Sequence, residues 1–154
     1  MTTIAYDRAT RTMAADTQCT AGARKFRTHK VRRLKDGGLI GSCGSMVDIL
    51  KIHRWAEAGF PKKGRPELGD DADFESMIVN GDGTVFLMDE ALEMMEFSDE
   101  FLAIGSGGPY ATAAMACGKT VIEAVDLAAR FDPATSAPVE SFHVELKRAS
   151  RKRK

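Results

Sequence analysis

Two pairs of short alternating segments, each joined by a tight polar turn, constrain the fold of this chain most strongly. In the first pair, TTIAYD and TMAAD flank the turn residues RAT. In the second, FESMIV and TVFLMD flank NGDG, which is among the stronger short hairpin signals. Alternation of apolar and polar residues predicts strands with one buried face, and such turns predict antiparallel pairing. The chain is therefore expected to build antiparallel sheet.

One helix is predicted between the two hairpins. It follows the apolar strand LIGSCGS, begins at Met46 and continues to about Ala58. Val47, Leu50, Trp55 and the residues between them fit its period of 3.6 residues. The segment GFPKKGRPELGDD is rich in Gly, Pro and charged residues, so a loop is expected after the helix.

Two further helices are predicted after the strand FLAIGSGG. In PYATAAMAC, Pro109 suits a first helical turn and Gly118 suits the position just after the last turn. In TVIEAVDLAARF, Thr120 and Glu123 have the spacing of a capping box. The residues expected along one side of this last helix are Ile122, Val125 and Ala129.

The order of these elements predicts an α+β fold. The predicted order is strands, a helix, strands, two helices and a last strand, VESFHVEL. It lacks regular βαβ alternation. This order favours antiparallel sheet with helices packed on its faces. The 154 residues are enough for one domain with a sizeable core. We expect a single domain over residues 1–146 and a disordered basic tail over residues 147–154.

Composition limits the partners that such a chain can have. The 22 basic and 22 acidic side chains give a formal net charge of zero, so bulk charge favours neither nucleic acid nor a membrane. The basic runs ARKFRTHKVRRLK and KRASRKRK are expected to be solvated surface and a frayed terminus. Three cysteines without close pairs predict reduced thiols in a cytoplasmic protein. The first residues do not have the pattern of a signal peptide, and no apolar run is long enough for a bilayer.

Five residues at the ends of predicted strands carry most of the chemical information. Thr2 begins the first strand and Asp16 ends the second. Lys30 lies on a neighbouring strand, and Gly44 and Ser106 lie at strand-to-helix turns. Taken singly, each has an ordinary structural explanation as a turn or surface residue. The GSGG segment around Ser106 is also compatible with an anion site, although taken alone a tight turn with close packing is the favoured explanation.

Together these segments resemble a known family. TTIAYD, AADTQCTAG, HKVRRL, GSCGSMVD and AIGSGGPYATAAM, in this order, are similar to the peptidase subunit of the bacterial ATP-dependent HslV-type protease. They resemble the proteasome β subunits more distantly, and the resemblance covers most of residues 2–131. It implies an N-terminal nucleophile (Ntn) hydrolase with a four-layer α/β/β/α sandwich. It also implies a threonine-type endopeptidase that hydrolyses unfolded polypeptides inside a cytoplasmic homo-oligomeric ring.

The resemblance implies a catalytic role for each of the five residues. Thr2 matches the nucleophile, Lys30 matches the lysine beside it, and Asp16 matches the aspartate that holds this lysine. Gly44 matches the glycine whose backbone N–H forms the oxyanion hole. Ser106 matches the serine that hydrogen-bonds the terminal amine.

Three further residues match substrate-binding positions of the family. Thr20 matches a residue whose backbone pairs with the extended substrate. Ser42 and Met46 fall where the family lines its primary specificity pocket. Asp132 falls near an acidic residue that supports the terminal amine.

The chemistry of this set explains why these residue types occur together. A threonine hydroxyl is a weak nucleophile and needs a base nearby. A free α-amine has a pKa of about 7.7–8, so it can accept the proton close to neutral pH. A nearby Lys30 ammonium would lower the pKa of both the hydroxyl and the amine. Thr2 can supply hydroxyl and amine together only after Met1 has been removed.

The resemblance also bears on cofactors and partners, and the chain differs from the family at two places. No cofactor or metal is expected, and an AAA+ unfoldase ATPase is implied as a partner by the resemblance alone. GFPKKGRPELGDDAD occupies the place of a second helix of the family, so the helical layer is expected to be shortened and the pairing of two rings stays open. Ser45 stands where the family has a second glycine after Gly44.

Two other functions remain open at this point. The shortened helical layer is compatible with a small-molecule Ntn amidohydrolase that forms no closed chamber. A protein that keeps Met1 would suit a catalytically inactive ring or scaffold homologue. The two basic runs would allow such a homologue to associate with nucleic acid, although a nucleic-acid partner is not favoured.

Overall fold

The computed structural model describes residues 2–145, which form eleven strands and three helices. The prediction of a basic tail over residues 147–154 lies outside the described residues. No helix within residues 2–145 has the length and apolarity needed to span a bilayer. In chain order the elements are β1 (Ile4–Asp7), β2 (Thr12–Asp16), β3 (Gln18–Ala21), β4 (Arg24–Arg27), β5 (Val31–Arg33), β6 (Leu39–Gly44), α1 (Met46–Glu57), β7 (Phe74–Val79), β8 (Val85–Met88), β9 (Met94–Phe97), β10 (Phe101–Ile104), α2 (Gly108–Ala116), α3 (Val121–Ala128) and β11 (Val139–His143).

The strands form two main antiparallel sheets. One sheet has the order β10-β1-β2-β11, the other has the order β5-β6-β7-β8-β9, and β3 and β4 form a separate hairpin. Both predicted hairpins are confirmed. Ile4 of β1 lies opposite Ala15 of β2, and Val79 of β7 lies opposite Val85 of β8.

The two sheets and the helices form the expected four layers. Large side chains such as Ile4 and Met13 pack between the sheets, and α2 and α3 cover the outer face of the four-stranded sheet. Small Ala5 and Ala14 face these two helices, which lets them approach the sheet closely. Helix α1 packs on the outer face of the five-stranded sheet. The fold is therefore an α/β/β/α sandwich, with a single helix in one outer layer.

The bounds of α1 agree closely with the prediction, but of the three residues named for its period only Trp55 packs partly against the core. Val47 is 66% exposed and Leu50 is 43% exposed. The buried side instead carries Ile49, Ile52 and Ala56, which pack against β6 and β7. Apolar residues occur on two neighbouring stripes of this helix, so periodicity alone could not choose between them.

Helix α3 confirms the predicted capping box, and α2 starts with Pro109 in its first turn. The side predicted for α3 is only partly right, because Val125 is buried but Ile122 is 45% exposed. Strands β4 and β9 were not predicted. All four residues of β4 are exposed, and three of them are basic, so β4 carries no apolar alternation that would reveal a strand.

Candidate active site

A cavity lies where β3, the β5–β6 pair and the start of α1 come together. It is lined by three of the five predicted catalytic residues, Thr2, Lys30 and Gly44. Asp16 lies behind Lys30, and Ser106 lines a second cavity that shares Gly44 with the first. All three predicted substrate-binding residues also line the first cavity; they are Thr20, Ser42 and Met46.

A buried ion pair joins Lys30 and Asp16. Lys30 Nζ donates to Asp16 Oδ1 at 2.7 Å, and the two side chains are 6% and 0% exposed. Burial lowers the pKa of the Lys30 ammonium from its ordinary value, and the Asp16 carboxylate opposes that decrease. Asp16 therefore keeps a positive charge at the cavity wall that burial alone would disfavour.

Backbone hydrogen bonds fix the Asp16 carboxylate from behind. The Thr3 N–H donates to Oδ1 at 2.9 Å, and the Gln18 N–H donates to Oδ2 at 3.0 Å. The Ser136 N–H approaches Oδ2 at 3.4 Å. These donors come from the residue before β1, from β3 and from the loop before β11, so the carboxylate holds three parts of the chain together around the site.

A second polar chain leads away from the nitrogen of Thr2. This nitrogen donates to Ser106 Oγ at 3.3 Å, and Ser106 Oγ donates to Asp132 Oδ2 at 2.7 Å. Thr135 Oγ1 donates to the same carboxylate oxygen at 2.6 Å. Burial opposes a lower pKa for Asp132, but the hydrogen bonds from Thr135 and Ser106 outweigh it and hold the pKa of this carboxyl below its usual value.

Gly44 lies at the end of β6 between the two cavities. The Ser42 N–H donates to Lys30 O towards β5, and the Ser45 N–H donates to Asp73 O towards β7. Successive N–H groups of a strand point to opposite edges, so we infer that the Gly44 N–H points to the same edge of β6 as the Ser42 N–H. The first cavity lies along this edge, past the end of β5. The φ angle of Gly44 is +112°, which favours glycine.

A Cβ atom at Gly44 should disrupt the site. In Gly44→Ala the added atom would lie 2.7 Å from Phe74 Cα and would also clash with Asp73 O, so the backbone must shift. Loss of one oxyanion donor typically reduces turnover by about a hundredfold or more, and we expect a loss of that size in peptide hydrolysis. Gly118→Ala is the control, because φ is +83° there but nothing lies within 4 Å. Hydrolysis at the wild-type rate in Gly44→Ala would contradict this role for the backbone.

The edge of β3 borders the same cavity. Within residues 2–145, β3 pairs with β4 alone, so its other edge is open to a further strand. Three consecutive residues of β3, Gln18 to Thr20, line the cavity. An extended peptide could therefore add to this edge through main-chain hydrogen bonds, which require little of its sequence.

A buried hydrogen-bonded cluster adjoins the cavity, and two of its members, Ser42 and His53, line it. Ser42 Oγ lies 2.9 Å from His53 Nε2 and 2.7 Å from Ser76 Oγ. Burial lowers the pKa of His53 to about 4, and the nearby Arg32 guanidinium acts in the same direction. The imidazole is therefore neutral at physiological pH.

The neutral state of His53 predicts a loss of stability in acid. The pKa of His53 is about 4 in the folded chain and near the ordinary value of 6.5 in the unfolded chain. Between pH 6.5 and 4 the folded state therefore binds fewer protons at this residue than the unfolded state does. The free energy of unfolding should then decrease by roughly 3 kcal/mol over this range. Urea denaturation at several pH values should show a shallower decrease in His53→Gln, which keeps a hydrogen-bonding side chain but does not titrate. Equal decreases in the two proteins would show that His53 does not titrate in this way.

Sequence reasoning missed His53, Arg32 and Thr135 as residues of the site. His53 lies four positions after Ile49 and one after Ile52, so its burial would have followed from choosing the correct side of α1. Arg32 belongs to a basic run that was interpreted as solvated surface. Thr135 follows Asp132 in a loop that is hydrogen-bonded to Thr3, and no local pattern marks it.

Comparison with known proteins identifies the family. No protein-family model matches the chain. The ATP-dependent protease subunit HslV of Petrotoga mobilis is 32% identical over 119 residues, which cover 66% of this chain and 67% of that protein. HslV of Thermosipho africanus is 30% identical over 135 residues, which cover 77% of this chain and 75% of that protein. The chain belongs to the HslV family.

Solved structures share the HslV-type fold. BPH of Thiobacillus denitrificans, in complex with epoxomicin, superposes with a TM-score of 0.72 at 24% identity, over 95% of this chain and 100% of that one. HslV of Trypanosoma brucei superposes with a TM-score of 0.72 at 22% identity, over 91% of this chain and 97% of that one. Membership in the HslV family makes this chain a proteasome-type subunit of the threonine peptidase class.

Proposed function

We propose that this chain is an endopeptidase subunit in which Thr2, exposed as the first residue by removal of Met1, hydrolyses peptide bonds of unfolded polypeptides. The observation that carries the proposal is the placement of Thr2 in one cavity with Lys30 and Gly44, while its nitrogen is hydrogen-bonded through Ser106 to Asp132. This arrangement supplies a nucleophile, a cation, a backbone donor and a support for an amine.

Each group would have a defined part in the acylation step. The free amine of Thr2 would take the proton from its own hydroxyl, and Oγ1 would attack the substrate carbonyl carbon. The Gly44 N–H would stabilise the negative oxygen of the tetrahedral intermediate. When the C–N bond breaks, the amine would return the proton to the leaving nitrogen and leave an ester on Thr2. Water would then attack the ester with the same amine as base, the bond between the acyl carbon and Oγ1 would break, and the amine would return the proton to Oγ1 as the second product leaves.

Lys30 and Asp16 would set the charge around this reaction. An ammonium group close to Thr2 disfavours protonation of the amine and favours loss of the hydroxyl proton. The amine would then be a neutral base at working pH, while Asp16 keeps Lys30 charged and oriented. Ser106 and Asp132 would position the amine through the chain that begins at the nitrogen of Thr2.

The shape of the site favours a polypeptide over a small amide. The open edge of β3 can align an extended chain, and Thr20 would supply backbone hydrogen bonds to it. Cavities on both sides of Gly44 offer room for residues before and after the bond that is cut. A small-molecule amidohydrolase would have no use for either feature.

Assembly and partners extend the proposal. The Petrotoga and Thermosipho relatives are named as subunits of an ATP-dependent protease. By analogy, we expect this chain to form a homo-oligomeric ring in the cytoplasm and to receive unfolded substrate from a separate AAA+ unfoldase ATPase. A monomer by light scattering that still hydrolyses small amides would favour the amidohydrolase alternative.

The test combines the identity of the N-terminus with activity. Intact mass should show that Met1 has been removed, and the protein in that form should hydrolyse an unfolded polypeptide without added cofactor or metal. A protein that keeps Met1 and is inactive would instead support the inactive-scaffold alternative. A protein that lacks Met1 and still hydrolyses neither polypeptide nor peptide would overturn the proposed function.

A further inference from the structure

The cavity beside Thr2 has a one-sided set of charged residues. Two cationic side chains, Lys30 and Arg32, line it together with the neutral His53 and with His29, whose Nδ1 is 2.9 Å from the Glu140 carboxylate. Among the described residues that line it, none is an aspartate or a glutamate. A cleft with side chains of one charge sign concentrates ligands of the opposite sign. The cavity therefore suits an anionic group better than a cationic one.

Of the two cations, Arg32 has the greater remaining capacity to bind an anion. Lys30 already donates to Asp16 at 2.7 Å within a fully buried pair. Among residues 2–145, Arg32 approaches one carboxylate, that of Glu57, with 3.9 Å between Nε and Oε1. Both side chains of this second pair are more than a third exposed, so their attraction is weak. A guanidinium can also donate two parallel hydrogen bonds to a carboxylate, which a lysine cannot.

The part of the cavity wall formed by Ser42 and His53 is polar and uncharged. Ser42, Ser76 and His53 are almost completely buried and are hydrogen-bonded to one another. These groups are held by one another, and they place no negative charge beside the cavity that would repel an anionic ligand. Met46, Ile49 and Leu50 add an apolar wall that the methylene groups of a longer side chain can contact.

We propose that this cavity binds an acidic side chain of the substrate residue whose carbonyl group Thr2 attacks, and that Arg32 is the charge partner that selects it. This inference rests on the proposed function and specifies its substrate class. The acidic group would accept hydrogen bonds from Arg32, its methylene groups would contact the apolar wall, and the neutral inner cluster would hydrogen-bond to it without adding a competing negative charge.

Peptides that differ only at the residue before the cleaved bond test the proposal. Acetylated peptides with Glu, Gln, Leu or Phe at this position would be compared in two forms. Carboxamides would give dissociation constants, and aminocoumarin amides would give kcat/KM. The Glu peptide should bind and react about tenfold better than the Gln peptide, because one desolvated charged hydrogen bond has about that effect. Its advantage should decrease as the salt concentration rises.

Arg32→Met and Arg33→Met provide the matched comparison. Arg33 is the next residue of β5, and its guanidinium instead contacts His143 O and Glu145. The preference for Glu over Gln should disappear in Arg32→Met and persist in Arg33→Met. Tighter binding of the Leu or Phe peptide by the wild-type protein would overturn the proposal, as would equal binding of all four peptides. The salt dependence in the wild-type protein provides a test even if Arg32→Met does not fold.

The two forms of the peptides separate this proposal from the proposed function. Preferential binding of the Glu carboxamide without hydrolysis of any aminocoumarin peptide would leave the acidic selectivity standing and would contradict peptidase activity. Hydrolysis of the Leu or Phe peptide in preference to the Glu peptide would support peptidase activity and would contradict the acidic selectivity.

Discussion

Thr2→Ala is expected to reduce hydrolysis of an unfolded polypeptide by at least about a thousandfold, because removal of a catalytic nucleophile leaves only substrate binding and the oxyanion donor. The substitution removes the hydroxyl and one methyl group from a side chain that lines the cavity. The amine, Lys30 and Gly44 would all remain in place. The measurement is the initial rate of peptide release from a labelled unfolded protein.

Thr2→Ser is the matched control for this prediction. It keeps the hydroxyl and the amine and removes only the methyl group, so measurable hydrolysis should remain. Intact mass must show the same N-terminus in wild-type, Ala and Ser proteins, because a retained Met1 would block the amine and mimic the loss of the hydroxyl. If the Ala variant, correctly processed, is as active as the wild type, Thr2 is not the nucleophile.

Local sequence signals predicted the elements whose structure depends on neighbouring residues. The NGDG turn sets the pairing of β7 with β8 because its loop length and turn residues fix the register. The capping box at Thr120 and Glu123 likewise involves residues three positions apart and needs no information from the rest of the chain. These features were predictable because their hydrogen bonds close within one turn.

Features that depend on distant contacts were harder to predict. The choice between the two apolar stripes of α1 depends on how the helix sits on β6 and β7, so the helical period alone did not show that Val47 and Leu50 are exposed. Strand β9 pairs with β8 in a segment whose acidic residues carry no strand signal. Its existence depends on the adjacent sheet edge more than on its own residues.

The residues of the candidate site also divide into those that could be predicted from the sequence and those that depend on distant contacts. The resemblance to a family supplied Thr2, Asp16 and Lys30, which lie far apart in sequence, and the structure shows which of them touch. It did not supply Arg32 or His53. The positions of these two side chains around Ser42 follow from how β5 and α1 pack on β6, which no local pattern encodes.

Asp16→Ala is expected to lower the free energy of unfolding by about 3–5 kcal/mol, because it leaves a buried ammonium without its partner. Asp16 is the residue to which Lys30 Nζ donates, at 2.7 Å. The substitution would also remove the acceptor for the N–H groups of Thr3 and Gln18, and each buried donor left unsatisfied costs about 1–3 kcal/mol. Urea denaturation at neutral pH would measure the change, and peptide hydrolysis should be lost as well.

Lys30→Met should destabilise the protein less than Asp16→Ala does, although it should abolish hydrolysis equally. The Asp16 carboxylate would keep its backbone donors from Thr3 and Gln18, so the remaining charge stays hydrogen-bonded. Lys119→Met is the control, because its pair with Glu123 is exposed at 3.8 Å and should contribute less than about 1 kcal/mol.

A double-mutant cycle then isolates the ion pair. Asp16→Ala should cost clearly less in the Lys30→Met background than in the wild type, because the unpartnered ammonium is then absent. Equal costs in both backgrounds would mean that Asp16 stabilises the fold through its backbone donors alone. In that case the hydrogen bond from Lys30 to Asp16 would keep Lys30 charged at the cavity wall without contributing to the stability of the fold.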